Sequence, residues 1–389
     1  MATMKLTRIE PLILNVSEKT NWFFIRVTLE DGVTGLGEAS LNGWEAPQRT
    51  YTEQLARELA GKPVGDVMAA LRVYPHSPGG LIASSVVSAT EQALTDARAR
   101  QAGVPLHALL GEARRNRIPV YANINRGARD RSPAGIAQAA LNAVASGFTA
   151  VKIAPFDGVL PGEHSTAEGR ARIRAGIERV FAIRDAVGPA VNVMVDCHWR
   201  FDETAALEIA RDLAPARLYW LECPVSENPH GFAALARVRD HVHALGMKLA
   251  GAECQIGAAG FRPYIDGKLL DVVMPDIKYA GGYGEMLKVA TLCERNGIAF
   301  SPHNPTGPVC NLASMHLCAV AEAFLVLEHQ LAESPLYYDV VGGYRPRLVD
   351  GCFELPDTPG IGVDLDRAVL ADHPCRPLPA NANLDPRLG

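Results

Sequence analysis

No cysteine precedes position 197 in this 389-residue chain, and none of its eight cysteines forms a C-x-x-C pair. Neither a zinc ribbon nor a dithiol redox motif is indicated, and reduced thiols in a cytoplasmic protein are the expectation. Excess positive charge is also missing. The balance of 38 Lys+Arg against 43 Asp+Glu, net −5, offers no electrostatic case for nucleic acid. Its basic clusters, "RNR" at Arg115–Arg117 and "RGARDR" at Arg126–Arg131, are short enough to be solvated loops. No apolar run approaches the ~20 residues of a spanning helix. The opening "MATMKLTRIEPLILNV" has neither an uninterrupted hydrophobic region nor a small-residue cleavage site, so no membrane partner is expected. The glycines of "GVTGLGEAS" form no G-x-G-x-x-G and precede no helix, which argues against a dinucleotide loop.

The composition, 48% hydrophobic and 21% charged, is that of an ordinary globular protein, and the length suggests two or three domains. Residues 1–115 read as an α+β capping domain. "NWFFIRVTLEDGVTGLGEAS" gives two alternating strands joined at Asp31-Gly32. "RTYTEQLARELAG" and "SSVVSATEQALTDARARQAG" read as helices closed by glycine. Residues 116–330 change to a beat of short apolar strands and helical segments. The strands are "VYANI", "AVKIAP", "VNVMVD", "RLYWLE", "KLAGAE", "DVVMPD", "IAFSPH" and "AFLVLE". Eight such strands argue for an α/β fold of the TIM-barrel type, with a doubly wound open sheet as the alternative. Residues 331–389 read as a segment packing back on the cap.

The stretch "VMVDCHWRFD" ends an apolar run on Asp196, with His198 two residues later, on the same face if the strand continues. Other strands end similarly, on Lys152, Glu222, Glu253, Asp276, His303 and Glu328. Strand C-termini of a barrel gather at one mouth, where catalytic groups sit. So many carboxylates together need compensation, and a hard divalent cation, Mg²⁺, suits Asp196, Glu222 and Glu253. Alternation would turn Cys197, Cys223 and Cys254 outward as buried structural thiols.

The order and spacing of "VDCH", "WLECP", "AGAE", "MPDIKYAGG", "SPHNPTGP" and "LVLEHQ", behind the cap, resemble the enolase superfamily in its mandelate-racemase-like branch. The resemblance spans essentially the whole chain. It implies a modified TIM barrel of the (β/α)7β type, its α+β N-terminal cap completed by the C-terminal segment. It also implies one Mg²⁺ per subunit on Asp196, Glu222 and Glu253, a small carboxylate substrate, and a homo-oligomer (dimer or octamer). Asp276 and His303 would form an acid–base dyad and Glu328 would close the ring. In that superfamily a Lys or His base works with Mg²⁺ on an enediolate. Lys152 would hydrogen-bond the substrate carboxylate, and Glu328 would do so in neutral form, favoured by its acidic surroundings.

Racemases of this branch carry K-x-K on the second strand, but "VKIAPF" offers Lys152 and then Ala154. A two-base racemase is therefore disfavoured. A histidine two residues after the first metal ligand resembles the sugar-acid dehydratases of the galactonate dehydratase type. In that reading His303 takes the C2 proton of an aldonate and His198 protonates the departing 3-hydroxyl, giving a 2-keto-3-deoxy acid. His198 could instead hydrogen-bond a metal carboxylate, and Asp276–His303 could be a structural pair. Substrate contacts are expected from Asn21, Trp44, Glu45, Asn125 and Arg126 on loops at the mouth, with Asn123 beside them. Lys278 reads as a solvent-facing loop residue, and Trp199 and Trp220 as packing. Two other functions stay open: an epimerase or racemase using His198 on the second face, and a non-catalytic ligand-binding barrel.

Overall fold

The computed structural model describes residues 4–73 and 80–378, so the outermost residues of the first and last sequence ranges, 1–3 and 379–389, lie outside it. The chain begins with an antiparallel meander of β1 (Leu6–Asn15), β2 (Asn21–Leu29) and β3 (Thr34–Glu38). The β2–β3 turn uses Asp31-Gly32: Gly32 has φ +86 and the Val33 N–H donates to Asp31 Oδ1 at 3.1 Å. Three helices follow, α1 (Glu45–Leu59), α2 (Val64–Leu71) and α3 (Gly80–Ala102). From Ala83 to Ala97 every residue of α3 is buried, because the helix lies between the cap sheet and the barrel. Close approach explains the glycines of β3. A Cβ on Gly35 or Gly37 would stand 2.0 Å from the carbonyl oxygen of Ala93 or Ala89.

After the short α4 (His107–Leu110), strands and helices alternate. They run β4 (Arg117–Asn123), α5 (Pro133–Ala145), β5 (Ala150–Ile153), α6 (Ala167–Val187), β6 (Asn192–Asp196), α7 (Glu203–Leu213) and β7 (Trp220–Glu222). The series continues with α8 (Phe232–Ala244), β8 (Lys248–Gly251), α9 (Gly257–Asp266), β9 (Val272–Val273), α10 (Tyr283–Asn296), β10 (Ala299–Phe300), α11 (Pro308–Val320) and β11 (Leu327–Gln330). Strands β4 to β10 pair in chain order, all parallel, and β11 pairs β4. The ring closes where Phe300 bridges to Phe324, with Phe300 N–H donating to Ala323 O and Leu325 N–H to Phe300 O, both at 2.9 Å. Eight strands and seven intervening helices, counted among the described residues, make a (β/α)7β barrel and exclude the open sheet.

Alternation sorts each strand's side chains. Tyr121, Met194, Trp220, Val272, Met274 and Val326 fill the barrel interior, while Val151, Val193, Leu221 and Leu249 pack outward against the helices. Each fully buried apolar side chain contributes roughly 1.5–3 kcal/mol. One pleat beyond this apolar layer, the same inward faces carry the polar residues of the mouth.

Two cap carboxylates seat the cap on the barrel. Glu91 of α3 accepts from Tyr283 N at the start of α10, at 2.8 Å. Glu38 of β3 accepts from Gly307 N at 2.8 Å and Cys310 N at 2.9 Å, at the start of α11. These unpaired helix N–H groups attract negative charge, although burial pushes both carboxyls up, Glu91 to about 7. Beyond the barrel, β12 (Val341–Gly343) pairs β15 (Val363–Leu365), and β13 (Leu348–Val349) pairs β14 (Cys352–Glu354). Strand β14 extends the barrel sheet beside the start of β4. The chain then reaches the cap: Asp364 pairs Arg26 at 2.7 Å, α12 (Arg367–Asp372) lies against β1, and Asn15 N donates to His373 O at 2.9 Å. Among the described residues no helix is long and apolar enough to cross a membrane.

The packing of α3 on β3 gives a test. Gly37→Ala should lower unfolding free energy in urea by about 1–3 kcal/mol or more. Gly65→Ala, whose Cβ meets nothing within 4 Å on α2, should raise it by up to about 1 kcal/mol.

Candidate active site

Register brings the polar strand ends together. Asp196 lies level with Glu222 across the β6–β7 pair, and one carboxylate oxygen from each of Asp196, Glu222 and Glu253 falls within 4.8 Å of the other two. Lys152 reaches between two carboxylates, its Nζ 2.7 Å from Glu222 Oε1 and 3.0 Å from Glu328 Oε1. Glu328 also accepts from Asn123 Nδ2 at 2.7 Å and Asn304 N at 2.8 Å. The indole of Trp220, one pleat below Glu222, donates to Glu222 Oε2 at 2.9 Å. Trp220 therefore orients a carboxylate besides packing the interior.

Simple alternation fails at two places. Strand β6 ends at Asp196, and His198 and Trp199 take left-handed backbone, φ 48 and 54. His198 meets Asp196 through a tight turn instead of a continued pleat: its N–H donates to Asp196 Oδ1 at 2.9 Å and its Nε2 lies 2.9 Å from Oδ2. The second place is β8. Ala250 faces the interior, so alternation would put Glu253 outside; Ala252, at φ 68, packs outward and Glu253 turns in. The flip also brings Cys254 to the cavity wall, whereas Cys197 and Cys223 are buried as expected, their thiols pushed well up by burial. Left-handed non-glycine residues cost about 1–3 kcal/mol each and cluster at functional sites.

Electrostatics divides the carboxylates. Burial raises Glu328, but Lys152, His303 and the Asn304 N–H outweigh it, so the carboxyl sits below its usual range. Its expected neutral form is thereby corrected: crowding by acids matters less than the ammonium 3.0 Å away. Burial also opposes ionisation of Asp196, yet His198 and Lys152 hold it low. Glu222 and Glu253 go the other way. Burial and neighbouring carboxylates push Glu222 well above the carboxylate range and Glu253 to about 8. Glu253 Oε2 is buried without a hydrogen bond, although His303 Nε2 stands 3.3 Å away. An all-oxygen donor set with an orphaned buried oxygen and unanswered negative charge fits a hard divalent cation.

His303 follows β10 and bridges to Asp276 after β9, its Nδ1 2.8 Å from Asp276 Oδ2. Asp276 also holds Lys278, whose Nζ is 2.5 Å from the same oxygen. Lys278 is completely buried, contrary to the solvent-facing loop expected for it. The segment stays pinned under the cap, where Gly281 N donates to Ser88 Oγ at 2.8 Å and Gln92 Nε2 to Ile277 O at 3.3 Å. Burial disfavours the Asp276 charge, but Lys278 and His303 keep its carboxyl below the usual range.

Above the ring lies a cleft lined by Lys152, Asp196, His198, Glu253, His303 and neighbours. Asn123, Asn125 and Arg126 line it, as do Ser40, Leu41 and Asn42 of the cap and Tyr279 and Thr306 of the barrel. Arg126 is partly engaged, its Nη1 3.3 Å from Glu333 Oε2 and 3.1 Å from Thr20 Oγ1. Asn21, Trp44 and Glu45 are not among the lining residues. Asn21 donates to Glu45 Oε1 at 3.1 Å and Arg376 O at 2.7 Å, tying the C-terminal segment to the cap. Trp44 is half-buried just before α1. Ala154 lines the cleft where racemases of the branch have lysine.

Comparison with known proteins agrees with this architecture. Residues 3–111 match the mandelate racemase / muconate lactonizing enzyme N-terminal domain, and residues 135–369 the enolase C-terminal domain-like family. The chain is 33% identical to the D-gluconate dehydratase of Thermoproteus tenax, over 97% of this chain and 75% of that one. It is 27% identical to a D-galactonate dehydratase of Xanthomonas euvesicatoria pv. vesicatoria, covering 94% of each. Among solved structures, a mandelate racemase/muconate lactonizing enzyme-like protein from Rubrobacter xylanophilus superposes with a TM-score of 0.86 at 29% identity, covering 97% of this chain and 100% of that one. With both family domains matched in order over this capped (β/α)7β barrel, the chain belongs to the enolase superfamily, in its mandelate racemase / muconate lactonizing branch, and is an enzyme.

Proposed function

We propose that this enzyme dehydrates an aldonic acid to its 2-keto-3-deoxy acid, with Mg²⁺ held by Asp196, Glu222 and Glu253. The observation that carries this reading is the composition of the cleft wall: His198 and His303 line it together, while position 154 is alanine. That arrangement offers one base backed by a carboxylate and a second imidazole, suited to an acid, without a lysine for the opposite face. The dehydratase relatives support sugar acids as the substrate class.

A bound divalent cation supplies the positive charge that lets a carboxylate substrate accept a second negative charge, worth several kcal/mol. His303 removes the C2 proton with its Nε2, while Asp276 on Nδ1 orients the ring and stabilises it once protonated. Lys152 presents a fixed cationic donor to the substrate carboxylate. A well-placed donor of this kind contributes roughly 2.7–4 kcal/mol. His198 gives a proton to the 3-hydroxyl, the C3–O bond breaks, and water leaves. Its Nε2 lies 2.9 Å from Asp196 Oδ2. The resulting enol tautomerises to the ketone. Ser40, Asn42, Asn123, Asn125 and Thr306 offer polar partners for the remaining hydroxyls.

Aldonic acids incubated with the enzyme and Mg²⁺ should yield a semicarbazide-reactive keto acid. Chelation should abolish the activity and added Mg²⁺ restore it. Absence of keto acid from every aldonic and aldaric acid tried would defeat the proposal. For the base, His303→Asn should lower kcat at least 10²-fold while still binding the cation; a wild-type rate would remove His303 from its role. His198→Asn should slow dehydration more than exchange of the C2 proton with solvent, whereas equal slowing of both would assign His198 to holding Asp196.

A further inference from the structure

Glu227 lies between β7 and α8, in "CPVSEN", and takes no part in the proton chemistry above. It is 5% exposed, and both of its carboxylate oxygens accept from Ala252 N, at 3.0 and 3.1 Å. The Trp199 and Cys223 side chains stand beside the same carboxylate. The Tyr264 hydroxyl donates to the Glu227 carbonyl and fixes the loop from the α9 side.

These three neighbours share a property. Trp199, Cys223 and Ala252 have φ of 54, 45 and 68, left-handed values that L-residues rarely adopt. Each sits in the turn beside one proposed ligand: Trp199 three residues after Asp196, Cys223 directly after Glu222, and Ala252 directly before Glu253. The turns also bond one another, Trp199 N to Cys223 O at 2.6 Å and Cys223 N to Ala250 O at 3.0 Å. At Ala252 the effect is plainest, since its turn is what rotates Glu253 from the helix side of the barrel to the inside. Gly251 makes room for the carboxylate; a Cβ there would stand 1.9 Å from Glu227 Oε1.

We infer that Glu227 is a positioning residue for the metal centre, one buried carboxylate that bonds the Ala252 turn and stands against the Trp199 and Cys223 turns linked to it, and so sets Asp196, Glu222 and Glu253 relative to one another. This rests on the assignment of those three residues as the ligands. Buried partners that orient metal ligands typically change affinity 10–100-fold when altered. Glu227→Gln keeps the size but turns an amide donor toward groups that themselves donate. Trp199→Phe removes the indole N–H from beside the carboxylate and leaves Glu227 in place.

The test is titration of the full-length protein with Mn²⁺, followed by the electron paramagnetic resonance of the free ion, with the thermal midpoint of the metal-free protein measured alongside. Wild type should bind one Mn²⁺ per chain, Glu227→Gln should bind about 10–100-fold more weakly, and Trp199→Phe should show a smaller loss in the same direction. A folded Glu227→Gln protein with wild-type affinity, even at a lower thermal midpoint, would overturn the inference and leave Glu227 a structural residue. Should Glu227→Gln not fold, Trp199→Phe decides, and unchanged affinity overturns the inference. Failure of wild type to bind Mn²⁺ would overturn the metal centre itself, and this inference with it.

Discussion

Five carboxylates, Asp196, Glu222, Glu253, Asp276 and Glu328, are buried at one end of the barrel, and the buried ammonium groups that answer them are those of Lys152 and Lys278. Lys278 is committed to Asp276, where it shares one oxygen with His303. Lys152 is divided between Glu222 and Glu328, and one ammonium cannot neutralise both. Glu328 gains the most, helped by Asn123 and Asn304, and stays ionised. Glu222 and Glu253 are left with their charge opposed by burial and by neighbouring carboxylates, Asp196 foremost. The rest of the site turns on that deficit, which a divalent cation would answer.

The rest of the fold keeps this charge dry and in register. The apolar layer of Tyr121, Met194, Trp220 and Met274 closes the barrel below the ring. Above it the cap is held at two depths. Glu38 and Glu91 reach from β3 and α3 to the starts of α11 and α10, so the buried side of the cap is part of the barrel's own helix capping. At the mouth, Arg126 after β4 and Glu333 after β11 meet Thr20 of the β1–β2 loop. Ser40, Leu41 and Asn42 form one wall of the cleft, which the cap and barrel therefore share.

Much of this was legible in the alternation of the sequence. Period-two patterning located the barrel strands, and their last polar residues named the ring from Lys152 to Glu328. It worked best where the strand stays regular up to the functional residue, as at Lys152, Asp196 and Glu222. It gave the wrong geometry where a left-handed residue intervenes. His198 meets Asp196 by a turn, and Glu253 faces inward because Ala252 breaks the pleat. Nothing in "AGAE" announces that break, since alanine has no preference for positive φ. The protonation of Glu328 and the burial of Lys278 were illegible for another reason: both are decided by partners remote in the chain. The cap loops were the least legible. Asn21 bonds Glu45 and the C-terminal segment, while Ser40 and Asn42, close by in sequence, face the cleft.

The central claim is that a single base on one face of the substrate starts a loss of water. It is tested most directly by following a turned-over aldonic acid in D₂O by NMR, examining both the product and the substrate recovered at partial conversion. The account predicts a 2-keto-3-deoxy acid carrying solvent deuterium at C3, beside recovered substrate of unchanged C2 configuration. Recovery of the C2 epimer with deuterium at C2, and no keto acid, would contradict it and identify a two-sided exchange of the same proton.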